Sequence, residues 1–525
     1  MLKNIQLIIP MSGIGKRFLD AGYKTPKPLI EVDGKPIIEH VLNLFPGVDD
    51  VTFICNDKHL RETNMREILL SLRPKSKILE VSHENRKGPV DAIKQVESFI
   101  SNEKQTIISY CDYGTLWDFN GFLEYIKNGD LDGAIPYYTG FHPHMLGTDN
   151  YAFCKHNDNF LNEIQEKKPF TKNKMDEYTS NGTYYFKTGS IMKKYFDEFL
   201  NSEYSLNGEF YVSMVFNLLV RDGLKVGLFE IENMLQWGTP YDLEVYKGWS
   251  EYFQNINIKN TKVKNPPNTT LVLPMAGKGS RFIDKGYKKP KPLIDVDGLP
   301  MVVKAIECLP ESDDNLFMCL KEHITDYNID EELKKYYINS KVVEIDGVTD
   351  GQACTCEIGI NQTNLDLENP ILISACDNGV QYDAEEYDKL IKDENLDIIV
   401  WSFRNDQSSK LNPNSYAWLE VDENNFIKNV SCKKFIYDNP LKTHAIIGTM
   451  FFRKGKYFID GLQKNYEKNI RTNNEFYVDD VLNQNIKMGL NIKVFEVKKY
   501  VCWGTPDDYL TYKYWQSFFS KNTLG

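Results

Sequence analysis

Short apolar runs alternate along the chain with segments whose apolar residues recur every three or four positions. In the first half, the runs predict strands at 5–9, 51–55, 78–81 and 106–110, and the spaced segments predict helices at 37–45, 60–72 and 90–99. In the second half, the predicted strands are 270–273, 316–320, 342–345 and 371–374, and the predicted helices are 301–308 and 353–360. This alternation predicts α/β domains, each with a largely parallel sheet covered by helices on both faces.

The same motifs occur twice, in the same order. Arg17 and Arg281 end two copies of Gly-x-Gly-x-Arg that are 264 positions apart, and Trp237 and Trp503 begin two copies of Trp-Gly-Thr-Pro that are 266 apart. These spacings far exceed the periods of solenoids, and 525 residues suffice for two independent cores. We therefore predict tandem domains at 1–254 and 270–525. The polar segment 255–269, which contains a Pro-Pro step, is the predicted linker over the surface.

Charge and apolar content exclude several kinds of partner. A net charge of −12 argues against binding to nucleic acid or to an anionic membrane, since either would require a broad basic face. The apolar runs are too short to span a bilayer, and the first residues lack the hydrophobic region of a signal peptide, so a cytoplasmic location is expected. The ten cysteines lack paired CxxC spacing, which indicates reduced residues and argues against zinc or structural disulfides.

Each repeat begins with a loop suited to phosphate. Glycines at 13 and 15, and at 277 and 279, allow close approach of the backbone to an anion, and Arg17 and Arg281 add planar cationic groups. Lys27 and Lys291 each lie between two prolines, which restrict the backbone and fix the position of the ammonium group. The spacing matches neither a P-loop nor the three-glycine dinucleotide fingerprint.

An aspartate follows an apolar strand at the same point of each repeat. Asp112 and Asp377 are expected at the sheet edge that carries the glycine loops, where a carboxylate could hold Mg²⁺ beside a phosphate. The alternative interpretation is a turn residue with a local hydrogen bond.

The motif Gly-x-Gly-x-Arg, followed by Pro-Lys-Pro-Leu and by Asp-Gly-x-Pro at Asp33 and Asp297, resembles the signature of the nucleotidyltransferases that form sugar nucleotides. These NDP-sugar pyrophosphorylases (EC 2.7.7) often act in capsule or surface-polysaccharide pathways. The resemblance covers both halves and implies two tandem Rossmann-like domains of the nucleotide-diphospho-sugar transferase (GT-A-like) type, each with a mainly parallel mixed sheet.

The resemblance implies a reaction and assigns roles to residues. An oxygen of a sugar phosphate, or of a related phosphorylated acceptor, would attack the α-phosphorus of an NTP, with Mg²⁺ as cofactor and pyrophosphate as the leaving group. The triphosphate would be held by Gly13, Gly15, Arg17 and Lys27 in the first half, and by Gly277, Gly279, Arg281 and Lys291 in the second. The nucleobase would contact Gly88 in one half and Gly351 with Gln352 in the other.

The family also offers a Glu-Lys pair to the acceptor, and here the halves differ. Glu166 and Lys167 match the pair, whereas the second half keeps only Lys433 after Cys432. Many relatives have a second metal-binding Asp two residues before the late Gly-Thr, but this chain has Gln236 and Cys502 there. The nearest duplicated carboxylates are Asp242 and Asp508, which alternatively belong to a turn and a helix N-cap.

Further residues differ between the halves where an acceptor would lie. His142 and His144 either line an acceptor pocket or cap a loop, and they lack the partners of a metal site. Asp479 and Asp480 favour an acidic helix start, with ion binding as the alternative.

Three hypotheses remain from the sequence. The first is a bifunctional tandem nucleotidyltransferase whose two sites take different acceptors. The second is a GT-A-type glycosyltransferase, which would normally carry an Asp-x-Asp that neither half provides. The third is one active domain beside a degenerate nucleotide-binding partner, for which the second half is the candidate. The nucleobases, the acceptors and the oligomeric state stay open.

Overall fold

The structure is a computed structural model that describes residues 2–82, 84, 87–202, 204–255 and 262–521. The chain divides into two compact units, Met1–Ser250 with Ser517–Gly525 and Glu251–Gln516. Of the predicted linker 255–269, residues 256–261 lie outside the described residues. Asn265 and Thr269 differ from the surface position expected of a linker, because both are buried, and Asn265 accepts a hydrogen bond from Tyr387 at 2.9 Å.

The described chain up to residue 255 contains these strands: β1 (Ile5–Met11), β2 (Glu31–Val32), β3 (Lys35–Pro36), β4 (Asp50–Asn56), β5 (Lys77–Val81), β6 (Gln105–Ser109), β7 (Tyr113–Leu116), β8 (Gly133–Tyr138), β9 (Ala152–Asn157), β10 (Phe160–Glu166), β11 (Tyr178–Ser180), β12 (Thr183–Phe186), β13 (Val226–Glu230) and β14 (Asn233–Gln236). Its helices are α1 (Lys16–Asp20), α2 (Ile37–Asn43), α3 (Asp57–Glu62), α4 (Met65–Leu72), α5 (Pro89–Gln95), α6 (Phe119–Asn128), α7 (Gly189–Leu200), α8 (Val212–Arg221) and α9 (Pro240–Asn255).

From residue 262 onward, the strands are β15 (Thr270–Met275), β16 (Asp295–Val296), β17 (Leu299–Pro300), β18 (Asp314–Leu320), β19 (Lys341–Ile345), β20 (Ile371–Ile373), β21 (Asn378–Gln381), β22 (Ile398–Phe403), β23 (Ala417–Val421), β24 (Ile427–Cys432), β25 (His444–Phe452), β26 (Ile492–Glu496) and β27 (Lys499–Cys502). The helices are α10 (Ser280–Asp284), α11 (Met301–Glu307), α12 (Lys321–Tyr327), α13 (Ile329–Lys334), α14 (Gln352–Gln362), α15 (Ala384–Lys392), α16 (Ser408–Leu411), α17 (Gly455–Glu467), α18 (Val478–Lys487) and α19 (Pro506–Lys521).

The main sheet of the first unit is mixed. Its order is β11-β9-β10-β13-β8-β12-β6-β1-β4-β5, in which the run β6-β1-β4-β5 is parallel and β12 is antiparallel to both β6 and β8. Every residue of β1 is buried, as expected of a strand with parallel neighbours on both sides. The parallel run and the parallel pair β8–β13 fit the expected largely parallel sheet, whereas β12 returns beside β6 as an antiparallel strand.

The second unit has a sheet of the same kind. Its order is β19-β18-β15-β20-β25-β22-β26, with β23 paired to β25 and β24 paired to β23. The run β20-β15-β18-β19 is parallel, and β25 is antiparallel to β20 and β22. Leu271 and Leu273 belong to one buried cluster while Val272 belongs to another, so apolar cores cover both faces.

Most predicted elements match the observed ones within two or three residues. One prediction is wrong: the helix expected at 60–72 is broken into α3 and α4. Thr63 has an extended backbone and donates from its hydroxyl to the carbonyl of His59 at 2.7 Å, which gives the chain an alternative to continued helix. Among the described residues, no helix combines the length and the apolar character needed to cross a bilayer.

Candidate active site

The first glycine loop follows β1 at the carboxyl end of the parallel run. Gly15 has a φ of +69°, which only glycine adopts without strain, and it directly precedes the short helix α1. A methyl group on Gly15 would lie 3.7 Å from Cβ of Lys27, so the loop and the Pro-Lys-Pro segment are in contact. The exposed side chain of Arg17 extends from the first turn of α1, directly after this loop. The sheet thus brings the predicted phosphate-binding residues together.

Lys27 is paired with the aspartate that follows β6. Its Nζ donates a hydrogen bond to Oδ2 of Asp112 at 2.7 Å, and both side chains are about one quarter exposed, at 23% and 24%. Burial by itself would lower the pKa of Lys27, but the charge of Asp112, the nearby Cys111 and the hydrogen bond to Asp112 together raise that pKa. The ammonium group therefore stays charged at neutral pH.

The side-chain amide oxygen of Gln236 lies near the carboxylate of Asp112. A methyl group on Gly238 would meet Oδ2 of Asp112 at 2.9 Å and Oε1 of Gln236 at 3.2 Å, so both side chains reach the same point. The amide N–H of Trp237 also donates to the carbonyl of Asp112 at 3.1 Å. Carboxylate and amide oxygens are hard donors that suit Mg²⁺. Among the described residues, no group of three or more His, Cys, Asp or Glu could hold a metal by itself.

Asp242 belongs to a helix cap and also lines the same cavity. The Thr239 hydroxyl donates to Oδ2 of Asp242 at 2.6 Å and accepts from its N–H at 3.1 Å, which closes a reciprocal cap at the start of α9. Burial raises the pKa of Asp242 to about 6. The N-cap expected from the sequence is present, and the metal role predicted for Asp242 stays a prediction.

The predicted acceptor residues lie at the end of β10. Oε1 of Glu166 accepts from the Ser213 hydroxyl at 2.5 Å, and Nζ of Lys167 donates to the Tyr211 hydroxyl at 2.7 Å. Burial raises the pKa of Glu166, and its bond to Ser213 and the charge of Lys167 oppose this. Lys167 has a φ of +58°, a left-handed conformation that turns the chain away at the end of the strand.

These residues surround one cavity of about 460 Å³ in the first unit. Among the predicted site residues, its lining includes Gly13, Gly15, Arg17, Lys27, Asp112, Glu166, Lys167 and Asp242. Sequence reasoning missed further lining residues, which are Tyr110, Tyr113, Tyr151, Asn181, Tyr184 and Tyr211. Tyr211 stands in the motif Glu-Phe-Tyr-Val, which recurs at 475–478 and could have marked it, whereas the others come from separate segments and share no spacing.

Gly88, which is predicted to contact the nucleobase, packs closely against the backbone of Phe210. It has a φ of +94°, and a methyl group there would lie 2.8 Å from the backbone nitrogen of Phe210. Gly351 of the second unit has a φ of +130°, and its methyl group would lie 2.6 Å from the backbone nitrogen of Phe476. Both glycines are thus required by backbone packing, and Gln352 beside Gly351 is exposed at the start of α14.

His142 and His144 are not part of the cavity lining, but the ring of His144 lies 5.1 Å from that of Tyr151, which does line the cavity. His142 is buried and His144 half-buried near the aromatic ring of Tyr138, whose hydroxyl is 3.0 Å from Nε2 of His144. Burial lowers the pKa of His142 to about 4 and also lowers that of His144. Both imidazoles are therefore neutral near pH 7 and serve packing in this arrangement.

The second unit repeats the arrangement of the residues predicted to bind phosphate. Gly279 has a φ of +63° before α10, and a methyl group there would lie 3.2 Å from Cβ of Lys291. The ammonium group of Lys291 donates a hydrogen bond to Oδ2 of Asp377. Burial by itself would lower the pKa of Lys291, and the charge of Asp377 raises it. Gly277 and Arg281 are exposed in the same loop.

The surroundings of Asp377 contain sulfur instead of an amide oxygen. A methyl group on Gly504 would lie 3.1 Å from Oδ2 of Asp377 and 3.3 Å from Sγ of Cys502. The Cys502 thiol donates to Oδ2 of Asp508 at 3.4 Å, and burial raises the pKa of the thiol. Burial also raises the pKa of Asp508, which caps α19 through Thr505. A neutral thiol is a poor Mg²⁺ ligand, so the carboxylates are the suitable donors here.

A further cavity of about 390 Å³ lies beside the second glycine loop. Lys278 of that loop lines it together with residues after β18 and β19, which are Leu320, Lys321, Glu322, Thr325, Asp346, Gly347 and Val348. Lys433, predicted to bind the acceptor phosphate, lies at the end of β24 with its Nζ 5.5 Å from the ring centre of Tyr477.

The part of the chain that contains the first of these sites is similar to known proteins. Residues 7–218 match the family model described as nucleotidyl transferase. The chain is 24% identical over 235 residues to the bifunctional protein GlmU of Campylobacter hominis, covering 44% of this chain and 49% of that protein. It is also 24% identical over 287 residues to GlmU of Clostridium tetani, covering 50% of this chain and 56% of that protein. The chain thus spans about half the length of the curated relatives it matches.

Solved structures give similar matches. A nucleoside-diphosphate-sugar pyrophosphorylase from Vibrio cholerae RC9 is 21% identical with a TM-score of 0.39, covering 46% of this chain and 99% of that one. The inositol-1-phosphate CTP transferase from T. maritima is 18% identical with a TM-score of 0.35, covering 46% of this chain and 93% of that one. The residues that match the nucleotidyl transferase family model, 7–218, contain the glycine loop, Lys27, Asp112 and Glu166 of the first site.

Proposed function

We propose that the chain is a tandem nucleotidyltransferase that transfers a nucleotidyl group from NTP to a phosphorylated acceptor in each of its two units. The observation that carries this proposal is the first cavity, in which the glycine loop, Arg17 and the Lys27–Asp112 pair face Glu166 and Lys167. Such a cavity offers cations to a triphosphate on one side and a Lys-carboxylate pair to a phosphorylated acceptor on the other. The acceptor class we propose is a sugar phosphate or a related polyol phosphate.

In this proposal the chemistry is an in-line displacement. A phosphate oxygen of the acceptor forms a bond to the α-phosphorus, the bond from that phosphorus to the β-phosphate oxygen breaks, and pyrophosphate leaves. Arg17 and the loop N–H groups would bind the leaving phosphates, and Lys27 would stabilise the charge that develops around the α-phosphate. Glu166 would accept hydrogen bonds from acceptor hydroxyls while Lys167 pairs with the acceptor phosphate.

Mg²⁺ is part of the proposal. Asp112 would hold it with help from Gln236 in the first unit, and Asp377 would do so in the second, with Asp242 and Asp508 as further carboxylates. Mg²⁺ usually keeps several waters and takes one or two carboxylates plus substrate phosphates, which this donor set fits. When bound, the ion would neutralise charge on the triphosphate.

The proposal for the second unit has its own support. Its parallel strand run, its glycine conformation at Gly279 and its Lys291–Asp377 pair correspond to those of the first unit. The division of the chain into two compact units supports two domains, which we propose at 1–254 and 270–525. We further propose that the activated products serve surface-polysaccharide synthesis and that the enzyme acts in the cytoplasm, where NTPs are available.

The test uses the full chain and the two aspartates. Exchange of labelled pyrophosphate into ATP, CTP, GTP, UTP and dTTP is measured with Mg²⁺ and a panel of hexose 1-phosphates and polyol phosphates. The parent is expected to support exchange, Asp112→Asn and Asp377→Asn to lose complementary activities, and the double variant to lose both. Absence of exchange with every nucleotide would overturn the proposed function, and loss confined to Asp112→Asn would limit it to the first unit.

A further inference from the structure

The acceptor regions of the two units can be aligned through one pair of asparagines. In the first unit, Asn217 of α8 accepts from the N–H of Ile164 at 2.9 Å and donates to its carbonyl at 2.9 Å. In the second unit, Asn483 of α18 makes the same two bonds to Val430, at 3.0 and 2.8 Å. Each asparagine therefore fixes the register of a helix against the last strand before the acceptor lysine.

These asparagine bonds show which residues of the first unit correspond to which residues of the second. Two residues after the bonded strand residue come Glu166 in the first unit and Cys432 in the second, and four residues before the asparagine come Ser213 and Asp479. The following lysines agree with this alignment. Lys167 and Lys433 both have positive φ, at +58° and +53°, and both donate from the backbone to a tyrosine carbonyl, Tyr151 at 2.7 Å and Tyr416 at 3.0 Å.

The carboxylate has changed sides between the units. In the first unit, the strand supplies the acid and the helix a small hydroxyl group, and Ser213 donates to Glu166 at 2.5 Å. In the second unit, the strand supplies a small thiol and the helix the acid, and Cys432 donates to Oδ2 of Asp479 at 3.9 Å. Each unit thus keeps one carboxylate beside the acceptor lysine, in contact with a small polar group from the facing element.

The charges around Asp479 resemble those around Glu166, which agrees with the two carboxylates occupying equivalent positions. Burial raises the pKa of Asp479 to about 6, and the positive charge of Lys433 opposes that increase. Glu166 shows the same two influences, from burial and from Lys167. The neighbouring Asp480 differs, because its Oδ2 accepts from the Thr472 hydroxyl at 2.8 Å. Asp479 is therefore the acid of this pair that corresponds to Glu166.

We propose, on the basis of the function proposed above, that Asp479 recognises hydroxyl groups of the phosphorylated acceptor in the second unit. A carboxylate beside a lysine accepts hydrogen bonds from hydroxyls while the lysine pairs with the phosphate. Asp479 is one methylene shorter than Glu166 and comes from the helix instead of the strand, so it contacts the acceptor from a different side. The two units therefore bind different acceptors of one chemical class, hydroxyl-bearing phosphate monoesters.

The test is carried out on the full chain with the first site silenced by Asp112→Asn. In this background, Asp479→Asn is expected to raise the KM for the acceptor about 10- to 100-fold, as for loss of a charged hydrogen-bond partner, and to leave the Kd for NTP unchanged. The acceptors are hexose 1-phosphates and polyol phosphates of three to six carbons. Asp480→Asn is the matched control and is expected to keep the parental KM.

The double variant Cys432→Glu/Asp479→Ser tests the exchange directly. It transfers the first unit's arrangement to the second, and its acceptor preference is expected to shift towards that of the parental first site. If Asp479→Asn keeps the parental KM, or if Asp480→Asn raises it equally, the inference is overturned although the enzyme is active. If the Asp112→Asn background binds no NTP and forms no pyrophosphate with any acceptor, the proposed function of the second unit fails instead, and the inference with it.

Discussion

The ammonium nitrogen of Lys27 lies 2.7 Å from Oδ2 of Asp112 in a partly buried pair. The two residues are 85 positions apart in the sequence. Asp112 follows β6 and Lys27 lies against the glycine loop that follows β1, so both lie at the carboxyl end of the parallel run. A cation and a carboxylate held this close can separate to serve a triphosphate and its metal ion. The pair therefore joins the two charges that the proposed reaction requires.

Replacement of Lys27 by alanine tests this role. We expect Lys27→Ala to lower kcat/KM of the first site by about 100- to 1000-fold, because a preorganised charge at the reacting phosphate is lost. Lys24→Ala is the control, since Lys24 is exposed three residues away. Steady-state pyrophosphate release with the second site silenced by Asp377→Asn gives the measurement. A Lys27→Ala variant that keeps more than about a tenth of the activity would contradict the assignment.

The contact of Gly88 with Phe210 predicts a stability effect. Gly88→Ala would bring Cβ to 2.8 Å from a backbone nitrogen at a φ of +94°, which combines strain with a clash. Gly22→Ala is the control, because Gly22 has a similar φ of +90° and open space around it. We expect the control to lose about 1 kcal/mol of unfolding free energy and Gly88→Ala to lose about 2–4 kcal/mol in urea titrations. Equal losses of unfolding free energy would show that the backbone of Phe210 moves away from the new methyl group without further loss of stability.

Much of the fold could be predicted from the sequence, and the reasons are local. The strands β1 and β15 are buried between parallel neighbours, so each is recognisable as a continuous apolar run. The antiparallel strands could not be predicted in the same way, since their pairing depends on contacts between distant segments. The break between α3 and α4 could not be predicted either, because only the hydrogen bond from the Thr63 hydroxyl to His59 marks it within an otherwise continuous helical pattern.

The candidate site was predictable where the chain repeats a motif, as at Lys27 and Lys291. It was not predictable at Asp479, because the equivalence with Glu166 depends on two elements packed together by Asn483. The role of Gly88 likewise required the structure, since the sequence cannot show that the backbone of Phe210 lies against it. Each missed feature is a tertiary contact between segments far apart in the chain.

The raised pKa of Asp242 predicts a pH-dependent stability of the first unit. Burial raises this pKa from the ordinary value of 3.8 to about 6, so between these values the folded state binds more protons than the unfolded state. The penalty of the buried charge thus develops as pH rises through this window and is complete above it. We expect Asp242→Asn, studied without metal, to be more stable than the parent by about 1–3 kcal/mol near pH 7 and nearly equal to it near pH 4. Urea titrations across this range give the measurement, and a constant difference would contradict the raised pKa.

Magnesium separates the two roles considered for Asp242. If its carboxylate binds the ion, Mg²⁺ with NTP raises the melting temperature of the parent more than that of Asp242→Asn. We expect this larger increase in the parent because Asp242 lines the same cavity as Asp112. Equal increases in both proteins would leave Asp242 with its cap to Thr239 alone, and Asp112 would then bind the ion without it.

The hydrogen bond between Lys167 and Tyr211 allows two effects on the acceptor KM to be compared, namely loss of the cation and loss of the hydroxyl that positions it. Nζ of Lys167 donates to the Tyr211 hydroxyl at 2.7 Å and lies 4.7 Å from the centre of that ring. We expect Lys167→Ala to raise the acceptor KM of the first site about 10- to 100-fold, because it removes the cation that pairs with the acceptor phosphate. Tyr211→Phe keeps the ring and the cation, so we expect a smaller increase, below about 10-fold.

Calorimetric titration with NTP supplies the second readout for these variants. The Kd for NTP is expected to stay at the parental value in both, because Arg17 and Lys27 remain to bind the triphosphate. Lys168→Ala is the control, since Lys168 is the exposed neighbour of Lys167. An increase in KM for Lys168→Ala equal to that for Lys167→Ala would indicate a general effect of surface charge. Loss of NTP binding in Lys167→Ala would instead assign this lysine to the triphosphate and leave the acceptor phosphate to another cation.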